Sequence, residues 1–185
     1  MRLFKTFKFI NFSIKFFIIF ALICLFFVFS TLWYFSIGLP DYKKLSNYQP
    51  PISSRVYSGD GKLIAEYALE KRLFIPFESI PKKVINSFLS AEDKNFFNHP
   101  GIDAKGIVRA LLKNLKNISA NKRLEGASTI TQQVAKNFLL TNEVSLNRKI
   151  KEAILAFRIE RAYSKERILE LYLNQIYMGS GAYGV

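Results

Sequence analysis

The 185-residue sequence contains one cysteine and one histidine, and its first forty positions hold no acidic residue. The lone Cys24 lies within an apolar run, so no internal disulfide and no cysteine metal site can form, and the rest of the chain must hold together by core packing. His99 has no metal-ligand spacing around it and reads as a structural hydrogen-bonding residue. Two Ser-x-x-Lys matches, Ser79-Ile-Pro-Lys82 and Ser119-Ala-Asn-Lys122, lack the Lys-Thr-Gly that accompanies them in serine acyl-transfer enzymes, and read as chance. There is no internal repeat. The length admits one anchor and one modest domain but no second large catalytic domain, since domains run to roughly 100–150 residues.

No charge interrupts residues 16–40, and 16–39 are dense in Phe, Ile, Leu and Val. That exceeds the roughly 20 residues needed to cross a bilayer as a helix. Arg2, Lys5, Lys8 and Lys15 precede this span, which puts the N-terminus in the cytoplasm by the positive-inside rule, with Trp33 and Tyr34 near the outer headgroups. A cleaved signal peptide would have a shorter apolar core ending in small residues, so a retained anchor is expected. Overall, 27 Lys and Arg oppose 14 Asp and Glu, and a net charge of +13 suggests an anionic partner. Outside the membrane, nucleic acid is not expected to be that partner.

The chain divides into a basic cytoplasmic tail (1–15), a membrane span (16–39), a linker with a small extended element (40–80) and a mainly α domain (81–185). In the linker, Arg55-Val-Tyr and Leu63-Ile-Ala-Glu-Tyr67 flank Ser58-Gly-Asp-Gly61, a hairpin signal. A helix should begin at Pro81 with Val84, Ile85, Phe88 and Leu89 inward. Asp103 should cap the next, burying Ile107, Val108, Leu111, Leu112 and Leu115. Residues 116–126 read as a mobile basic loop. Thr129-Ile-Thr-Gln132 fits a capping box. A fourth helix from Ser145 should bury Leu146, Ile150, Ala153, Ile154 and Phe157. A fifth after Ser164 should bury Ile168, Leu169, Tyr172 and Ile176 and stop at Gly179-Ser-Gly181.

Candidate chemistry lies on these helices. Glu92 continues the first apolar stripe, where partial burial would raise its pKa and suit it to accept a proton; a frayed helix end facing water is the alternative. Thr129, Gln132, Gln133 and Lys136 share a helical face of amides and hydroxyls, suited to sugar hydroxyls and a phosphate, or to an ordinary polar surface. Arg148 and Lys149 occupy a first helical turn, where positive charge opposes the helix dipole by roughly 0.3–1 kcal/mol each. Glu152 shares their face in the poorer base-before-acid order. A pyrophosphate site explains this cluster better than a surface ion pair.

Taken in order, Glu92-Asp-Lys-Asn-Phe-Phe-Asn-His99-Pro-Gly101, Gly126-Ala-Ser-Thr-Ile-Thr-Gln-Gln-Val-Ala-Lys-Asn137, Arg148-Lys-Ile-Lys-Glu152 and Lys165-Glu-Arg-Ile-Leu-Glu-Leu-Tyr-Leu-Asn174 with Gly179-Ser-Gly-Ala-Tyr-Gly-Val185 resemble the motifs of the family 51 glycosyltransferase domain of class A penicillin-binding proteins. The resemblance implies a mainly α, lysozyme-like transglycosylase domain, preceded here by a single transmembrane helix and a short hairpin-like linker. It also implies an inner-membrane enzyme, with its domain on the periplasmic side, that polymerises lipid II into β-1,4-linked glycan.

By that resemblance Glu92 is the general base and Glu152 the second catalytic carboxylate, assisting pyrophosphate departure directly or through an optional magnesium or manganese ion; no cofactor is otherwise required. Lys136, Arg148 and Lys149 would hold phosphates. Ser128, Gln132, Gln133 and Asn174 would contact substrate or shape the site. Residues 116–123 would form a membrane-apposed jaw. Expected partners are lipid II, the growing glycan strand, the bilayer and other cell-wall synthesis or division proteins. Ser54-Arg-Val-Tyr-Ser-Gly-Asp-Gly-Lys62 favours a bifunctional parent, and the end at Val185 falls inside the last motif, so a C-terminally incomplete domain without its transpeptidase is expected. A lysozyme-like lytic hydrolase and a non-catalytic membrane scaffold are the rival readings; the hydrolase has no use for a basic pyrophosphate cluster.

Overall fold

The computed structural model describes residues 2–46, 48, 54–67 and 71–185. It forms two compact units, 1–39 and 40–185.

The first unit is one helix, α1 (Arg2–Ser36), ended by Gly38 in a left-handed conformation (φ 74°) and Pro40. Its stretch Ile14–Ser36 is long and apolar enough to cross a membrane, with mean hydropathy 2.7, and its large apolar side chains are exposed. Thr31 donates its hydroxyl to the Phe27 carbonyl at 2.8 Å, so even this polar group is satisfied within the helix, as a hydrocarbon surrounding demands.

In the second unit the expected hairpin forms. β1 (Ser54–Tyr57) pairs antiparallel with β2 (Leu63–Tyr67), Val56 opposite Ala65, and Gly61 (φ 80°) closes the turn. After β3 (Lys71–Arg72) come α2 (Lys82–Glu92), α3 (Ala104–Ser119), α4 (Ile130–Leu139), α5 (Leu146–Ala162) and α6 (Lys165–Gln175). Pro81 precedes α2 rather than opening it. The side chains of Asp103, Ser145 and Ser164 cap α3, α5 and α6, and Thr129 with Gln132 forms the capping box of α4. β4 (Tyr177–Gly179) and β5 (Ala182–Tyr183) then form a hairpin that takes β3 as a parallel third strand, a sheet the sequence did not announce.

α6 is the spine. Every residue from Ile168 to Asn174 is buried, so this helix is covered on all sides. α4 and α5 supply Ile130, Val134, Ala135, Leu155, Ala156 and Ile159 to the core. The stretch expected as a linker covers another side: Leu45 and Ile80 are buried, Arg167 donates to the Leu45 carbonyl at 3.2 Å, and the Tyr163 hydroxyl donates to the Tyr42 carbonyl at 3.0 Å.

Two expected apolar faces are corrected. On α3 only Gly106 and Ala110 are buried, whereas Ile107, Val108, Leu111, Leu112 and Leu115 are exposed, as are Ile118 and Leu124. Periodicity establishes that a helix is amphipathic, not that protein covers its apolar side. On α5 the buried face is Glu152, Leu155, Ala156 and Ile159, while Leu146 and Phe157 are exposed. The helix is turned because Glu152, with its charge paired, can enter the interior.

Gly101 marks the tightest approach. Its φ is 94°, and a Cβ there would lie 2.8 Å from the Ala156 carbonyl oxygen and 3.0 Å from Glu160 Cγ. Gly101→Ala is expected to cost about 2–3 kcal/mol through backbone strain and displacement of α5, lowering the melting temperature by several degrees. Thermal unfolding monitored by circular dichroism checks this.

Candidate active site

Glu92 ends α2 and is exposed, as the helix-end alternative had it and not partly buried on the apolar stripe; its Oε2 accepts from Gln133 Nε2 at 2.9 Å. The neighbouring carboxylate is the buried one. Asp93 accepts from His99 Nε2 at 3.0 Å and from the Ile130 backbone N–H at 3.1 Å. His99 Nδ1 in turn accepts from the Gly101 N–H at 3.1 Å, so this nitrogen carries no proton and Nε2 donates to Asp93. A carboxylate at the first turn of α4 also complements the helix dipole. Thr129 Oγ1 donates to the Gly101 carbonyl at 2.6 Å, and Lys165 Nζ to the His99 carbonyl at 2.7 Å. These bonds fix the turn after α2 against α4 and bring Glu92 to Gln133. Sequence reasoning read His99 as structural and passed over Asp93, whose spacing of six residues from the only histidine was the available signal.

Beside it, between Lys136 of α4 and the first turns of α5, lies a cationic recess. Lys149 Nζ donates to Ser128 Oγ at 2.6 Å and Glu152 Oε2 at 2.9 Å, while the Arg148 guanidinium takes Glu152 Oε1 and the Glu143 carbonyl. Glu152 is only 2% exposed. Burial first, then the charges of Arg148 and Lys136, hold the Lys149 ammonium below its ordinary pKa. Three cations around one carboxylate leave an excess of positive charge suited to an anion.

The two regions share walls. A cleft of about 760 Å³ is lined by Glu92, Asp103, Arg109, Arg123, Ser128 and Gln133 among others. A recess of about 220 Å³ is lined by Ser128, Gln132, Gln133, Lys136, Arg148, Lys149 and Glu152. Ser128 and Gln133 belong to both, so the carboxylate and the cations open onto adjoining space. The outer wall is the segment expected as a mobile loop. Its first residues complete α3, and Asn114 then brackets Glu125, accepting from its N–H at 2.7 Å and donating to its carbonyl at 3.0 Å. Arg109, Lys113 and Arg123, which the sequence reading had not singled out, add positive charge to this wall.

Gln132 spends its side-chain oxygen on the Thr129 N–H at 3.0 Å, in the capping box, and is buried. Asn174 is corrected as a substrate contact. Its amide accepts from the Ile75 N–H at 2.8 Å and donates to the Ile75 and Glu170 carbonyls, so it pins Ile75 to α6 and lines neither recess. The residues do not fit a resident divalent cation. Both Glu152 oxygens already accept from cations, and among the described residues no three His, Cys, Asp or Glu side chains gather.

Fold and cleft together define a mainly α, lysozyme-like transglycosylase domain. The chain belongs to the transglycosylase family, whose model matches residues 60–185 and so begins inside the hairpin. It is similar to penicillin-binding protein 1A of Rickettsia felis (62% identical over 83% of this chain), of Aquifex aeolicus (51% over 80%) and of Pseudomonas aeruginosa (50% over 82%). The chain spans about a fifth of the length of these relatives, 18–20% in each comparison.

Proposed function

We propose that this chain is a peptidoglycan glycosyltransferase that extends glycan strands from lipid II at the outer face of the cytoplasmic membrane. The observation that carries the reading is the adjoining placement of Glu92 and the Lys136, Arg148 and Lys149 cluster across Ser128 and Gln133. Glu92 removes the proton from the 4-hydroxyl of the acceptor N-acetylglucosamine. That oxygen attacks the anomeric carbon of the donor N-acetylmuramic acid from the face opposite the diphosphate, giving a β-1,4 link with inversion. The carbon–oxygen bond to the undecaprenyl pyrophosphate breaks, and its charge passes to the three cations. Gln133 orients Glu92, and Ser128 with Lys149 lies between the two ends.

The exposed apolar face of α3 supports a lipid-linked substrate. Val108 and Leu112 line a groove of about 610 Å³ together with Lys105, Arg109, Lys113 and Lys116, the pattern of a helix lying in an anionic bilayer interface. α1 supplies the anchor, with its basic end in the cytoplasm. The growing strand and other cell-wall synthesis or division proteins are the partners this role entails.

Incubation of the detergent-solubilised chain with fluorescent lipid II, with products sized on a gel, tests the reading. Growth of long glycan supports it. Shortening of preformed glycan would replace it with a lytic hydrolase, and no change in either substrate would leave a non-catalytic scaffold.

A further inference from the structure

Tyr172, in the middle of α6, is 1% exposed, and its hydroxyl has no hydrogen-bond partner within the protein, alone among the buried side-chain polar atoms of the described residues. A buried hydroxyl left unmatched costs about 1–3 kcal/mol, so its place in a fully covered helix calls for a reason. The ring contact gives the neighbourhood. It meets Phe88 edge-on, with centroids 6.1 Å apart, and Phe88 lies one turn before Glu92 on the same side of α2. Burial, and after it the negative charge of Glu92, raise the phenol's pKa, so the hydroxyl keeps its proton and remains a donor.

We propose that Tyr172 is a positioning residue for Glu92, its hydroxyl supporting the carboxylate from the interior, directly once that side chain turns inward or across one water molecule. Gln133 holds Glu92 from the cleft side at 2.9 Å, where an incoming sugar competes for the same amide. The inner donor keeps the carboxylate aimed when the outer one is drawn away. It also favours the charged form, the form that accepts a proton. This rests on the assignment of Glu92 as the base.

Tyr172→Phe removes the oxygen and keeps the ring. The other charges around Glu92 are Asp93 and Lys94 beside it, Asp103, Arg109 and Lys113 from α3, and Arg123 and Glu125 from the loop; all are the same in both proteins and cancel in the comparison. Loss of a donor to a carboxylate raises its pKa, so the Glu92 carboxyl signal, followed by carbon-13 NMR of the full chain in micelles and assigned by its disappearance in Glu92→Gln, is expected to titrate about half to one pH unit higher in Tyr172→Phe. The acid limb of the polymerisation rate should move by the same amount, and kcat should fall roughly threefold to tenfold with KM within twofold. An unshifted Glu92 titration in a variant as stable as the parent or more so overturns the proposal. If the parent chain polymerises nothing, the catalytic reading fails separately, and the NMR titration still decides whether Tyr172 supports Glu92.

Discussion

Glu92→Gln is expected to lower glycan polymerisation from lipid II by about 10²–10⁴-fold, the contribution of a positioned general base, with the fold unchanged. The geometry makes this substitution clean. Glu92 is exposed at the last position of α2, and glutamine keeps an oxygen able to accept from Gln133 Nε2. What disappears is the negative charge and the capacity to take a proton. An exposed site of this kind shifts stability by no more than about 0.5 kcal/mol, so the melting temperature should stay within about 2 °C. Asp93→Asn separates the role proposed for Glu92 from that of its neighbour. Asp93 is buried and holds His99 and the first turn of α4, so its loss should appear in thermal unfolding as well as in rate. A Glu92→Gln protein that polymerises at the parent rate would remove Glu92 from the reaction and with it the mechanism proposed above.

Local signals in the sequence carried much of the fold. Asp103, Ser145, Ser164 and the Thr129–Gln132 pair act within one helical turn of themselves, and each caps the helix it announced. The hairpin around Ser58–Gly61 formed for the same reason. What was not legible depends on long-range partners. The stripe on α3 is apolar and uncovered, because a pattern of side chains does not say whether protein or lipid meets it. α5 faces inward through Glu152, a residue that hydrophobic periodicity assigns to water and that only the pairing with Arg148 and Lys149 allows inside. Conversely Glu92 sits on an apolar stripe and is exposed, because the helix ends there and its last turn borders the cleft. Asn174 looked like a site residue and is a fastener, its amide matched to the backbone of a segment 99 positions away. Of the cleft and recess, Glu92, Lys136, Arg148, Lys149 and Glu152 were legible, while Asp93, Tyr172 and the basic wall on α3 became visible only once the elements were assembled.

Glu152→Ala is expected to produce the largest loss of stability among the site substitutions, about 2–4 kcal/mol, because it strips the single anion from a recess that holds Lys136, Arg148 and Lys149. The lower figure allows for Lys149, which is 44% exposed, so that water takes up part of its charge. A fall of roughly 5–10 °C in melting temperature corresponds to this. The deficit should depend on pH with a definite sign. Lys149 already has its folded pKa pulled below 10.5 by burial and by Arg148 and Lys136, and removal of Glu152 lowers it further. A lysine depressed in this way contributes least below its folded pKa, and stability returns as pH rises from there toward the unfolded value, so the gap between Glu152→Ala and parent should narrow on going from neutral to about pH 10. Inorganic pyrophosphate supplies the missing negative charge and should raise the melting temperature of Glu152→Ala more than that of the parent, with the increment fading as salt is added. Equal melting temperatures with and without Glu152, together with an equal response to pyrophosphate, would mean that this carboxylate does not hold the cations together. In this arrangement Glu152 is the anion that gathers and orients the cations of the recess, and in the mechanism proposed above a departing diphosphate meets them so placed.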